Sequence, residues 1–453
     1  MDILLHNFEV FPKVFLGDRE KTITIKPLGD HSRFDPETTY EVRILKTSES
    51  SMASYPERSG RTVLKIHPEQ DGSFILNAYF MGEGEHSISI YEEGVKAPKY
   101  VFSVYSLNED MKGRLPFRGD LHMHTCRSDG KEDPATVTAN YRGHGYDFLA
   151  ITDHWRYYPS LEAMQTWKDL SDFNLIPGEE VHLPLTKVHY VNIGGSYSVN
   201  ALVKPSLNDD RHGDGIEYRS LDGNAPDTMT LEEYTEMIEK RAENVPLEHK
   251  TERISYAVLE WAYEHVKNGG GLGIYPHPFW TAINSIHLPE EYHEYIYKNK
   301  PFDAFEVMGG DTNFGCFGLQ TGFYYDMKAK GYDYPVVGST DSHRSTENNL
   351  KGRIASTIVF AYENTREGIV ASIKDKYSIA VDTVSKEYRL VGDYRLMQYA
   401  SFLMEKYYPL HDLACQAEGY YMKRYLAGDS RAEGILKSMR GQIADMQKKF
   451  FDL

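Results

Sequence analysis

The sequence predicts more than one domain. An antiparallel β-sandwich of immunoglobulin-like type is expected over residues 1–112, and a parallel α/β domain, open or closed into a barrel, over 116–382. A helical extension is expected over 383–453. Three observations predict this. Apolar and polar residues alternate in short runs before residue 107. From residue 115 on, short apolar runs alternate with helical stretches. After Asp382, apolar residues recur at helical spacing. A length of 453 residues is too great for one small core and suits two or three domains.

The first part contains six half-buried strand patterns: Thr22-Ile-Thr-Ile-Lys, Tyr40-Glu-Val-Arg-Ile-Leu, Thr62-Val-Leu-Lys-Ile, Ser73-Phe-Ile-Leu-Asn-Ala-Tyr-Phe, His86-Ser-Ile-Ser-Ile-Tyr and Lys99-Tyr-Val-Phe-Ser-Val-Tyr-Ser. Turn formers at 29–30, 68–72 and 82–84 separate several of them. Short strands at this spacing predict the sandwich. No residue spacing here is catalytic, so a structural or dimerising role is expected ahead of carbohydrate binding. Residues 107–114 are polar and read as a linker.

Seven apolar segments then read as strands: 115–122, 147–152, 174–177, 188–193, 271–275, 302–307 and 335–339. Asp133-Pro134 opens a helix between the first two, with Asp as cap and Pro at the first helical position. A long insertion, about 196–268, interrupts the pattern. Residues 205–227 are rich in Asn, Asp and Gly and read as a loop. Thr230-Leu-Glu-Glu233 is a capping box, and 254–267 a second helix ending at Gly269 to Gly271. In a barrel such an insertion suits a lid or a substrate-shaping element, or equally a passive decoration. After Asp382, stripes such as Leu396, Tyr399, Ala400 and Leu403 suit packing against the barrel or a second subunit, so a homo-oligomer is one expectation.

Composition excludes several classes. Lys plus Arg total 50 against 67 Asp plus Glu, a formal charge of −17, which repels nucleic acid and anionic membranes. The N-terminus lacks the basic flank and apolar core of a signal peptide, and no apolar run reaches membrane-spanning length. Cys126, Cys316 and Cys415 are scattered and odd in number, so no disulfide framework is expected, and a cytoplasmic location is the default. The 34 tyrosines suit half-buried packing positions.

Asp120-Leu-His-Met-His-Thr-Cys-Arg-Ser-Asp-Gly130 carries the first chemistry. In an extended chain His122 and His124 share a face, and the turn brings Asp129 back, a set suited to a divalent cation. With eighteen histidines about one such pair is expected by chance. The other strands supply company: Ile151-Thr-Asp-His154, Pro177-Gly-Glu-Glu180, His189-Tyr-Val-Asn, Tyr275-Pro-His277-Pro and Gly338-Ser-Thr-Asp341-Ser-His343. Six of the seven strands carry a histidine or carboxylate near an end, five of them at the C-terminal end. That rim is where α/β barrels place active sites.

In these motifs residues 116–382 resemble the polymerase and histidinol phosphatase (PHP) metallohydrolases. The resemblance implies a distorted (β/α)7 barrel, and the N-terminal β-domain and long insertion are similar to the carbaryl (carbamate-ester) hydrolase branch. It implies three divalent ions, zinc, manganese or iron. His122, His124, Glu180 and Asp341 would hold one. Glu180 would bridge to a second on His189 and His277, and Asp129, His154 and His343 would hold the third. The implied activity is metal-dependent hydrolysis by a metal-bridging hydroxide, with Asp341 orienting or deprotonating the water. Arg344 could clamp an anionic oxygen, although a salt bridge is its plainer role. The expected substrate is a small-molecule phosphoester. A carboxylic or carbamic ester or amide is one alternative, and a metal-stabilised scaffold is another.

Other polar residues carry plainer expectations. Glu179 faces away from Glu180; His144, His182 and His265 are solvated or core; Asp153 orients loops; Glu306 supports a ligand or faces substrate; Cys126 is not a ligand. The segment 209–215 reads as a solvated loop.

Overall fold

A computed structural model describes residues 4–48, 62–204, 220–221, 223–282, 285–286, 288–310, 318–346, 355–382 and 389–453. The segment 209–215, most of the predicted loop 205–227, and Cys316 lie outside the described residues. The chain divides into two compact units. One comprises Met1–Leu115, Met397–Ala414 and Gly441–Leu453, the other Pro116–Leu396 and Cys415–Arg440.

In the first unit the alternating runs lie in the strands Arg19–Pro27, Tyr40–Lys46, Thr62–Ile66, Phe74–Phe80, Gly84–Glu92 and Tyr100–Leu107. With Phe8–Phe11, Val14–Leu16 and Phe451–Asp452 they form a three-stranded and a six-stranded sheet whose buried faces share one core, with Ile23, Ile25 and Leu76 from one and Val42, Ile88 and Val104 from the other. Alternation explains it: Phe74–Phe80 buries every second residue and exposes the rest. The pairing is not wholly antiparallel. Val14–Leu16 runs parallel to Tyr100–Leu107 and to the C-terminal Phe451–Asp452, a pairing between chain ends that no local pattern encodes.

The second unit is built on a nearly closed, barrel-like sheet of ten strands among the described residues. In chain order they are β1 (Leu115–Asp120), β2 (Phe148–Ile151), β3 (Asn174–Val181), β4 (Tyr190–Ile193), β5 (Leu272–Tyr275), β6 (Ala304–Met308), β7 (Val336–Gly338), β8 (Ala355–Ala361), β9 (Ser378–Asp382) and β10 (Arg389–Val391). Their order across the sheet is β7-β6-β5-β4-β3-β2-β1-β8-β9-β10. The first seven correspond to the predicted segments. Two expectations are corrected. The sheet has ten strands rather than seven, because the apolar run of β8 continues into the hairpin β8–β9 and on to β10. It is also not all parallel: β4 pairs antiparallel with both β3 and β5.

That reversal matters for the site. An antiparallel β4 presents its N-terminal end at the rim where its neighbours end, so His189, just before β4, meets residues that follow the other strands. Closure is made at the same rim. Asp341 N–H donates to the His122 carbonyl (2.8 Å) and His124 N–H to the Ser342 carbonyl (2.9 Å). Lower down, the Thr357 hydroxyl joins β8 to β7 through the Gly338 carbonyl (2.8 Å).

Within the insertion, helix Leu231–Ala242 starts with the predicted capping box at Thr230 and Glu233, and Lys250–Asn268 follows. Tyr234, Ile238, Val258 and Trp261 bury their inner faces in the barrel unit's core. Four helices follow residue 393: Tyr394–Lys406, Tyr408–Leu426, Ala432–Met439 and Gln442–Phe450. Among the described residues no helix is long and apolar enough to cross a membrane.

Candidate metal centre

The centre forms where the chain leaves β1, β2, β3, β5 and β7 and enters β4. Beyond β1, His122 and His124 are fully buried on one side of the extended chain. Asp120, buried between them and the closing segment, accepts hydrogen bonds from His122 N (3.1 Å), Thr340 N (3.1 Å) and the Tyr141 hydroxyl (2.9 Å). Burial raises its carboxyl to about 6. The loop that delivers Asp129 is held by buried Asp153, which accepts from Thr125 N (2.8 Å), Thr125 Oγ1 (2.7 Å) and Ser128 Oγ (2.5 Å). Gly130 completes the turn, since a Cβ there would press on the His124 carbonyl.

Glu180 is the hub. Its Oε1 lies 2.9 Å from His189 Nδ1 and 3.4 Å from His277 Nε2. Its Oε2 lies 2.6 Å from His154 Nδ1, 3.4 Å from His182 Nε2, 3.5 Å from His124 Nε2 and 3.7 Å from His122 Nε2. Six imidazoles thus face one buried carboxylate. Asp341 Oδ1 lies 3.0 Å from His124 and 3.4 Å from His122. Asp129 lies 3.3 Å from His343 and 3.5 Å from His154. Asp341 and His277 both adopt positive φ, 48° and 23°, strained conformations of the kind that gather at functional sites.

These contacts are close, yet the ligand atoms are not satisfied by one another. Both Glu180 oxygens, His122 Nε2 and His124 Nδ1 are buried without a hydrogen bond. Lone pairs that converge in a buried place suit a cation, and N and O donors suit zinc, manganese or iron. Four groups here bring their ligand atoms together: His122, His124 and Asp341; His122, Glu180 and His277; Asp129, His154 and His343 with His124; and His154, Glu180 and His182. Eight of the nine residues singled out in the sequence fall in these groups, His189 joins them through Glu180, and the residues present fit divalent ions.

The supporting residues behave as the chemistry requires. Glu306 Oε2 accepts from His122 Nδ1 (3.1 Å), leaving His122 Nε2 turned toward Glu180, and its Oε1 accepts from the His277 backbone N–H (3.0 Å). Gly309 is needed beside it, because a Cβ there would collide with the Glu306 carboxylate. Glu179 points away and is held by Ser198 (2.7 Å), Asn200 (2.9 Å) and Val199 N (2.6 Å). Arg344 is exposed just past His343, its backbone N–H on Ser342 Oγ (3.3 Å). His144 caps its helix, His265 packs on Trp261, and Cys126 is exposed. His182 does not fit the expectation. It stands inside the cluster, and its signal was the i, i+2 spacing from Glu180 that also marks His122 and His124. Two half-buried rings flank the centre, Trp155 beside His154 and His182 (5.5 and 5.1 Å between centroids) and Trp280 beside His189 (5.8 Å). No sequence pattern marked them.

Burial holds His124 and His189 neutral, down to about 3 and about 4, so their lone pairs are available to a cation. For His154 burial also opposes the charge, but the Glu180 and Asp129 carboxylates outweigh it and raise the ring to about 10. A proton there stands in for positive charge that a cation would bring. Cation affinity is therefore expected to fall as pH falls, roughly tenfold per unit for each proton displaced. Manganese titrations at pH 6 and pH 8 check this, and equal affinities would sink it.

No family model matches the sequence, and no curated protein matches it. Solved structures do. One is a two-domain protein from Bacteroides vulgatus ATCC 8482 containing a predicted PHP-like metal-dependent phosphoesterase. It is 17% identical, with 60% of this chain and 66% of that one covered and a TM-score of 0.39. This chain thus spans just under two thirds of that relative. A candidate metal-dependent phosphoesterase from Bifidobacterium adolescentis ATCC 15703 is 18% identical, covering 50% and 87%, with a TM-score of 0.32. An amidohydrolase from Chromobacterium violaceum, with bound sulfate and no metal, is 16% identical, covering 50% and 87%, with a TM-score of 0.31.

Proposed function

We propose that this chain is a metal-dependent hydrolase acting on a phosphate ester of a small molecule. One observation carries the reading: nine histidine and carboxylate side chains gather at one rim of the barrel, and among them both Glu180 oxygens, His122 Nε2 and His124 Nδ1 are buried without a hydrogen bond. Divalent ions bound there would lower the pKa of water and neutralise charge on an ester's oxygens. The residues that would hold them are His122, His124, Glu180 and Asp341, then Glu180 with His189 and His277, then Asp129, His154 and His343.

The remaining work falls to side chains. Asp341, on a strained backbone beside His122 and His124, orients the attacking water and takes its proton. Glu180 shares its two oxygens between two groups of imidazoles and fixes their spacing. Arg344 sits on the exposed turn after His343, where its guanidinium would meet an anionic oxygen from outside. The surface charge of −17 disfavours polyanions, so the ester belongs to a small molecule.

A second reading, hydrolysis of a carboxylic or carbamic ester, is favoured by Trp155 and Trp280. Their half-buried rings beside the cluster suit an apolar aryl group. A panel of sugar, nucleotide and aryl phosphates set against aryl esters and carbamates, with manganese or zinc, separates the two. Phosphate release is expected to dominate. Faster carbamate turnover would transfer the assignment, and inactivity with every metal would defeat both.

Asp129→Asn is expected to weaken one cation selectively, by at least about tenfold, and leave the ions near Asp341 in place. Metal content after dialysis checks it. Uniform loss of all bound metal would contradict the division of ligands.

A further inference from the structure

His182 lies outside the nine proposed ligands, yet it is built into the centre. Its Nε2 is 2.9 Å from His154 Nδ1 in hydrogen-bond geometry. Glu180 Oε2 is nearer to the same nitrogen, 2.6 Å, but makes no hydrogen bond with it. The other side of the His154 ring, Nε2, faces Asp129 at 3.5 Å. A ring that offers Nε2 to a cation carries its proton on Nδ1, and that proton needs an acceptor.

His182 is also held in place. Its backbone N–H donates to Asn200 Oδ1 (2.9 Å), and Asn200 Nδ2 donates to Glu179 Oε2 (2.9 Å) and to the Glu180 carbonyl (3.2 Å). Glu179 is itself fully buried and held by Ser198 and Val199. The backbone that carries the ring is therefore anchored from β3 and from the start of the insertion, and the His182 side chain is 19% exposed.

We infer that His182 is a positioning residue of the centre: by accepting the His154 Nδ1 proton it turns His154 Nε2 toward Asp129 and leaves both Glu180 oxygens free for cations. This rests on the hydrolase reading above. Metal-bound histidines usually give that proton to a carboxylate, a carbonyl or water, and here an imidazole takes the role. Had Glu180 accepted it, one oxygen of the hub would be spent on a hydrogen bond.

The experiment compares the full chain with His182→Ala, His182→Phe and His182→Gln, titrated with Mn2+ and, separately, with Co2+ followed by visible absorption. Phe fills the ring's volume without an acceptor, whereas Gln restores one as an amide oxygen. The Ala and Phe variants are expected to bind one class of Mn2+ about 10- to 100-fold more weakly. The Gln variant should stay within about threefold of the parent. Its Co2+ bands should match the parent's, because no ligand has been lost. Unchanged Mn2+ binding in the Ala and Phe variants would overturn the inference alone. So would a Gln variant as weak as Ala with altered Co2+ bands, which would make His182 a ligand. A parent chain that binds neither ion would overturn the hydrolase reading, and this inference with it.

Discussion

Glu180→Gln is expected to lower hydrolysis roughly a thousandfold, equivalent to several kcal/mol of lost transition-state stabilisation. The substitution changes almost no volume but removes the charge that six imidazoles face and turns one oxygen into an N–H donor. Burial opposes a negative charge on Glu180, yet the imidazoles that face it, His154 foremost, hold its carboxyl well below the usual range. An amide cannot repay those rings. Metal content should therefore fall together with the rate, and both are measured on the same preparation. A Gln variant that keeps its activity would favour a centre that is purely structural.

Chelation is expected to abolish activity and to lower thermal stability, with both restored by manganese or zinc. A cation at a hundred times its dissociation constant stabilises the folded chain by about 2.7 kcal/mol per site. For a unit of this size that is roughly 4 °C in the melting midpoint. The direction follows from the unsatisfied buried atoms, His122 Nε2, His124 Nδ1 and both Glu180 oxygens, which only a cation completes. A midpoint that does not move with metal would mean the cluster is content without it.

Much of this is legible in the sequence. The pleat puts His122 and His124 on one face, and strand-end positions suggested that Glu180, His277 and Asp341 would meet at one rim. Other features were not legible, for identifiable reasons. β4 reads as a strand in either direction, so its reversal, and with it the placement of His189, is decided by its neighbours. The run 355–361 is as apolar as any predicted strand, but nothing local says that it joins the sheet beside β1. Glu180 and His182 share the i, i+2 spacing of His122 and His124, but a lone extra histidine carries no weight without its partner.

The sequence by itself determined the ligand types, their order and their attachment to strand ends, because side-chain alternation acts over two residues. Only the tertiary structure decided which lone pair faces which. His122 is aimed by Glu306, 184 residues away, and Asp120 ties His122 to Thr340 across 220 residues. Ring orientation depends on the hydrogen bond made by the other nitrogen, and that partner comes from wherever the sheet brings it.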